Sequence, residues 1–328
     1  MKRTAGTKRS LLIAMIAFVT TTMVWLPADP AGAAGLALAS NENSGTISLI
    51  DIAKDEVIGE IDTGGKPRGA AINAARKLAY VSEQSANALL VIDIEKRAIV
   101  SKIELGESPE GVYISPDGRL VTAAVELTNS VVFVDTVKNE VAWRIKIKGE
   151  NPEHAVFSAD GRFVYVSAEE DDKLEVIDVA GRKLIAQLTV GTRPRGIAFT
   201  PDGAKAYVAC ERVDTLYVID ARQHTILRTI KAGTRSNGLI MHPDGKRVYL
   251  SNGGDGTVMV IDTVKDEVIA TIPVGQRPWN MSITKDGSKV YVANGRSDSV
   301  SVIDTTKNAV VKTIPVGKAP WGVQVFEP

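Results

Sequence analysis

Seven aspartates close seven short apolar runs at almost constant intervals: Asp51, Asp93, Asp135, Asp178, Asp220, Asp262 and Asp304, with steps of 42, 42, 43, 42, 42 and 42 residues. A second marker keeps the same step: Pro67-Arg-Gly69, Pro109-Glu-Gly111, Pro152-Glu-His154, Pro194-Arg-Gly196, Ser236-Asn-Gly238, Pro278-Trp-Asn280 and Pro320-Trp-Gly322. A period of about 40–45 residues made of strand-sized runs is that of a β-propeller blade. What all units share is then architecture, and a ligand is read where one unit departs from the rest.

One unit shows how a blade is built. Gly196-Ile-Ala-Phe-Thr200 is a first apolar run, and Pro201-Asp-Gly203 is a tight turn in which glycine can take a positive φ. Ala206-Tyr-Val-Ala-Cys210 suits a pleated, half-buried surface. The loop 211–214 leads into Leu216-Tyr-Val-Ile-Asp220, and Ile226-Leu-Arg-Thr-Ile230 follows a short turn. Four short runs with turns between them read as one antiparallel blade. The recurring Asp is expected to hold its turn by accepting backbone N–H groups two or three residues on. The last unit stops after its first strand, 322–326, and the runs at 36–39, 46–51 and 57–61 supply the missing three. The predicted fold class is therefore all-β: a seven-bladed β-propeller of four-stranded antiparallel blades. Its ring is closed by pairing N- and C-terminal strands in one blade, which removes exposed edges.

The segment before the repeats has a different character. Lys2, Arg3, Lys8 and Arg9 precede an apolar stretch from Leu11 to Leu26, and Ala31-Gly-Ala33 offers a small-residue cleavage site. Residues 1–33 read as a signal peptide, too short in its apolar part to span a bilayer, and 34–328 as the propeller. The expected location is periplasmic or secreted, with no membrane span after cleavage. The remainder carries 35 Lys/Arg against 38 Asp/Glu. That balance argues against a general nucleic-acid binder. Cys210 is the single cysteine, so no intramolecular disulfide supports the exported chain and thiol-based metal or haem motifs are excluded.

The repeat resembles the YVTN family of β-propellers. Tyr291-Val-Ala-Asn294, Tyr80-Val-Ser, Tyr165-Val-Ser, Tyr207-Val-Ala, Val302-Ile-Asp-Thr305 and Pro320-Trp-Gly-Val323 carry the likeness. Within that family it is most similar to exported propellers associated with pyrroloquinoline quinone (PQQ)-dependent catabolism. The resemblance implies that first strands line a central channel and that the residue after each Pro rings its mouth. That ring is Arg68, Glu110, Glu153, Arg195, Asn237, Trp279 and Trp321. It also implies PQQ or another planar anion as ligand, and a quinoprotein dehydrogenase or other periplasmic protein as partner.

On that geometry one sector of the rim is acidic (Glu110, Glu126, Glu150, Glu153, Glu169, Glu170, Asp171, Asp172) and the rest mainly basic. Arg68, Arg195, Arg235, Arg277, Trp279 and Trp321 are the candidate ligand-binding residues, because indole faces stack a flat molecule and guanidinium forks hold carboxylates. The solvated rim common to such repeats is the plainer account of the same residues. The favoured function is a non-catalytic binding or scaffold module. The enzymatic alternative is a lactonase using Glu153 and His154 for acid–base work and Arg195 for an anionic group. The third reading is a protein-interaction platform steered by the charged rim. His154 replaces the repeat's glycine but has no second His beside it, so no metal site is expected. Buried and inert is the expectation for Cys210, and His224 and His242 fall in turns at the opposite face. No Gly-x-Ser-x-Gly, His-Glu-x-x-His, Walker or dinucleotide motif occurs.

Overall fold

The computed structural model describes residues 35–328; the leader expected over 1–33 lies outside them. Seven four-stranded antiparallel sheets form a closed ring. Blades 1 to 6 span 67–104, 109–146, 152–189, 194–231, 236–273 and 278–315. Blade 7 pairs the C-terminal strand Pro320–Phe326 with Leu36–Asn41, which continues through Thr46–Asp51 to Glu56–Asp62. The predicted closure is therefore observed.

The inner strand of each blade packs on the inner strands of its two neighbours all the way round. Glycine permits that approach. A Cβ on Gly69 would lie 2.5 Å from the Glu110 carbonyl oxygen, and one on Gly196 2.5 Å from that of Asn237. The second and third strands are buried on both faces and supply the core between blades, whereas the fourth strands alternate or face outward.

The periodic Asp residues set turns as expected in six of seven blades. Asp51, for example, accepts from the N–H of Ala53 at 2.8 Å and of Lys54 at 3.1 Å, and the other five act alike. Asp178 is the exception. The Tyr of the second strand is equally architectural: Tyr207 donates to Asp266 at 2.7 Å in the next blade. Tyr291 donates to Asp55 at 2.5 Å, a latch across the closure.

Candidate functional site

The residue after each Pro does surround one end of the channel, and a second ring stands beside it. The loop after each second strand contributes Glu42, Gln84, Glu126, Glu169, Glu211, Gly253 and Gly295, again about 42 residues apart. Glu42 and Glu211 were not singled out from the sequence. Applying the repeat step to the position that follows each second strand finds both.

The two rings interlock. Arg68 bonds to Glu110 of the next blade and, at 2.9 Å, to Glu42 of the previous one. Arg195 reaches Glu153 at 2.6 Å, Glu169 at 3.1 Å and Glu211 at 3.0 Å. Arg193 pairs with Glu169 at 2.7 Å. Arg277 passes over blade 5 to meet Glu211 at 2.8 Å. The rim is thus not divided into separate acidic and basic sectors: its arginines bond across blades to its glutamates. Charge assigned by position along the chain misses this, because long side chains leave their own blade.

Arg68, Glu153, Arg195, Arg277, Trp279 and Trp321 line one cavity of about 280 Å³ at the mouth. Arg235 lies outside it, exposed in an adjoining cleft of about 560 Å³ with Arg193, Arg195, Arg212 and Arg277. The two indoles differ. Trp279 is half-buried with the Arg277 guanidinium 5.7 Å from its ring. Trp321 is only 8% exposed, and its ring lies 6.0 Å from His154 on the far side of the channel. A symmetrical clamp of two exposed indoles is not what the fold builds.

The glycines at the second-ring positions of blades 5 and 6 explain where Arg277 and Trp279 sit. A Cβ on Gly253 would lie 3.0 Å from Arg277 Nη1, and one on Gly295 2.9 Å from the Trp279 ring. Five blades carry Glu or Gln there; these two leave a notch that Arg277 and Trp279 occupy.

His154 does not line the mouth cavity. It is fully buried, its Nδ1 shares a 2.6 Å hydrogen bond with the Tyr113 hydroxyl, and its Nε2 has no protein partner among the described residues. His154 faces Ser167 in the ladder, as its counterpart Gly322 faces Ser40, whereas blade 4 resumes pairing only at Ile197. Burial, helped by the Arg195 charge, pushes its pKa down to about 3, so the ring is neutral. His224 and His242 lie in far-face turns, bonded to Tyr165 and beside Gly287. Cys210 is buried, and that burial pushes its thiol up to about 12. Among the described residues no group of three or more His, Cys, Asp or Glu is arranged to hold a metal ion.

Glu110 is the most perturbed carboxyl. Burial, then the Glu153 charge, pushes it up to about 8 against the pull of Arg68. A carboxyl raised in the folded state stabilises below its unfolded pKa and loses that contribution as pH rises through the folded value. Unfolding free energy should therefore fall between pH 4.5 and about 8. In Glu110→Gln that fall should be shallower, as read from urea midpoints across the range; parallel curves would refute it.

The chain matches the family model described as "Lactonase, 7-bladed beta-propeller" over residues 182–313. No curated protein matches it significantly. Among solved structures it is similar to Kuenenia stuttgartiensis hydrazine synthase, at 21% identity and a TM-score of 0.75. That match covers 88% of this chain and 99% of the other. It is also similar to a functionally unknown protein from Desulfotomaculum acetoxidans DSM 771, at 18% identity and a TM-score of 0.79, covering 89% and 99%. At these identities the likeness is one of fold: the chain is a β-propeller.

Proposed function

We propose that this chain is an exported binding module that takes a planar polycarboxylate at the notch over blades 5 and 6, with PQQ as the first candidate. The observation that carries this reading is the charge of the notch. Arg193, Arg195, Arg212, Arg235 and Arg277 face one cleft; Glu211 and Asp214 oppose them there, and Glu153 and Glu169 bond Arg195 and Arg193 from its edge. Arg212 and Arg235 make no ion pair among the described residues, so cations remain for a polycarboxylate. Arg277 Nη1 has no protein hydrogen-bond partner among the described residues, and Trp279 offers a ring beside it. Arg235 and Arg277 would hold carboxylates and Trp279 would stack the ring system. Arg68 and Trp321 have no direct part here, one being paired and the other buried. The module would act in the periplasm or outside the cell, beside a quinoprotein dehydrogenase or another periplasmic protein.

The test is the thermal midpoint with and without PQQ. A ligand at 100 times its Kd adds about 2.7 kcal/mol to a folded state it binds exclusively, roughly 4–5 °C for a domain of this size. Arg235→Ala with Trp279→Ala should abolish the rise, and so should Gly253→Gln, which refills the notch. No rise in the wild-type chain at saturating PQQ would sink the quinone reading. The partial match to a lactonase model favours a second reading, in which the same mouth opens sugar lactones beside Glu153 and Arg195, the buried His154 having no access to the substrate. Turnover of a sugar lactone that is lost in Glu153→Gln, with no PQQ effect, would replace the first reading with this one.

A further inference from the structure

The channel is interrupted half-way. Trp321 extends across it toward His154, and His154 is tied to Tyr113 on the neighbouring inner strand. With Asn280, Trp321 borders both the polar mouth cavity and a second chamber of about 350 Å³ beyond it. That chamber extends to the opposite face, where Lys285 and Glu327 stand at its rim.

Its wall is unlike the mouth. Ala70, Ile72, Ile114, Leu239, Ile240 and Ile283 come from inner strands of four different blades and line it. All six are only partly buried. Each packs one side against a core cluster between neighbouring blades and leaves the other facing the chamber. Packing accounts for the buried side; the apolar surface left unpacked is a recurrent mark of a binding cavity. Within the wall the side-chain polar groups include the amides of Asn280 and Gln324 and the Tyr113 hydroxyl, which His154 engages, and the inner strands, being sheet edges, add backbone N–H and C=O groups; the charges are confined to the rim, where the Glu327 carboxylate accepts from the Lys285 backbone N–H.

We propose that this chamber is a second binding site, for a small uncharged apolar molecule carrying one hydrogen-bonding group. An ionised ligand is disfavoured because its charge would leave water for a wall that offers no counter-charge. The volume accommodates about ten non-hydrogen atoms at the ~30 Å³ that liquid water takes per molecule. An aromatic or short-chain alcohol or ketone has that size and polarity. The Asn280 or Gln324 amide meets its polar group and the branched side chains enclose the remainder. The site is independent of the notch, since it shares none of the arginines.

The probe is 1-phenylethanol, an uncharged aromatic alcohol of that size, titrated into the full chain and followed by calorimetry. The expected result is a saturable component at one molecule per chain. Ala70→Phe fills the chamber and Ile240→Lys places an ammonium group in it; each should weaken the saturable binding by about tenfold or more. Trp279→Ala, at the mouth, should leave it unchanged, which separates this site from the quinone reading. Two chamber variants guard against one failing to fold, which the thermal midpoint reports. Absence of a saturable component, or equal affinity in the wild type and a folded chamber variant, overturns the proposal.

Discussion

Replacing Arg195 with Ala should lower the unfolding free energy by roughly 3–5 kcal/mol and the melting temperature by about 5–8 °C. Its side chain is 11% exposed and bonds to Glu153, Glu169 and Glu211, none more than 8% exposed. Removing the cation strands carboxylates that burial keeps from water. The pH dependence distinguishes this from lost packing. Burial and the Glu153 charge already raise the Glu169 pKa in the intact protein, and loss of Arg195 raises it further. A carboxyl so raised stabilises the fold once protonated, so the deficit of the variant should shrink as pH falls toward 4. Arg195→Lys should lie between, because an ammonium restores charge without the fork that spans three acceptors. A deficit under about 1 kcal/mol at pH 7, as expected of a surface pair, would show that the network is solvated. It also follows that Arg195 variants are poor tests of binding, since ring and ligand would be lost together.

Gly196→Ala should be as damaging for a different reason. The new methyl group would lie 2.5 Å from the Asn237 carbonyl oxygen and 2.9 Å from the Leu239 amide nitrogen. Both are backbone atoms of the neighbouring inner strand, so relief requires blades 4 and 5 to part. Overpacking costs about 1–3 kcal/mol where side chains can yield, and here none is in the way, so about 3 kcal/mol or more is expected. Calorimetric unfolding of the variant gives the answer, with Gly64→Ala as a contrast. Gly64, unlike Gly196, has positive φ, and no atom lies within 4 Å of its would-be Cβ, so its variant carries backbone strain without contact. That contrast separates blade contact from the strain of a left-handed residue, and equal losses at both sites would refute the contact argument.

The ring was legible because each blade solves the same packing problem. Asp51 and its counterparts, the marker that opens each inner strand (Pro-x-Gly in four of the seven) and the split seventh unit are features that keep one step, so arithmetic on the sequence finds them. The site was legible only in part. Position around the mouth follows from the repeat, which is why Arg68, Glu153, Arg195, Arg277, Trp279 and Trp321 do meet at one cavity. Partner choice does not follow. Arg277 reaches Glu211 two blades away because Gly253 clears its path, and nothing near Arg277 in sequence signals that. Trp279 and Trp321 occupy equivalent positions and read alike. They differ in their neighbours: the Trp321 ring lies 6.0 Å from that of His154, whereas Trp279 stands beside Arg277.

The ribosome delivers Leu36–Asn41 first and its partner Pro320–Phe326 last. Blades 1 to 6 each lie in one continuous stretch and can form in order of synthesis, but blade 7 cannot, and bringing its distant strands together carries the loop-closure entropy of nearly the whole chain. Until then the six finished blades are an open crescent. Arg68 has no Glu42 fixed beside it, and His154 has no Trp321 opposite. The Arg68–Glu42 pair and the floor beneath the mouth come into being in that one late step. The arginine cleft, drawn from residues 193–277, does not wait for it, whereas the chamber walled by Trp321 to Glu327 exists only in a completed molecule, so occupancy there certifies closure.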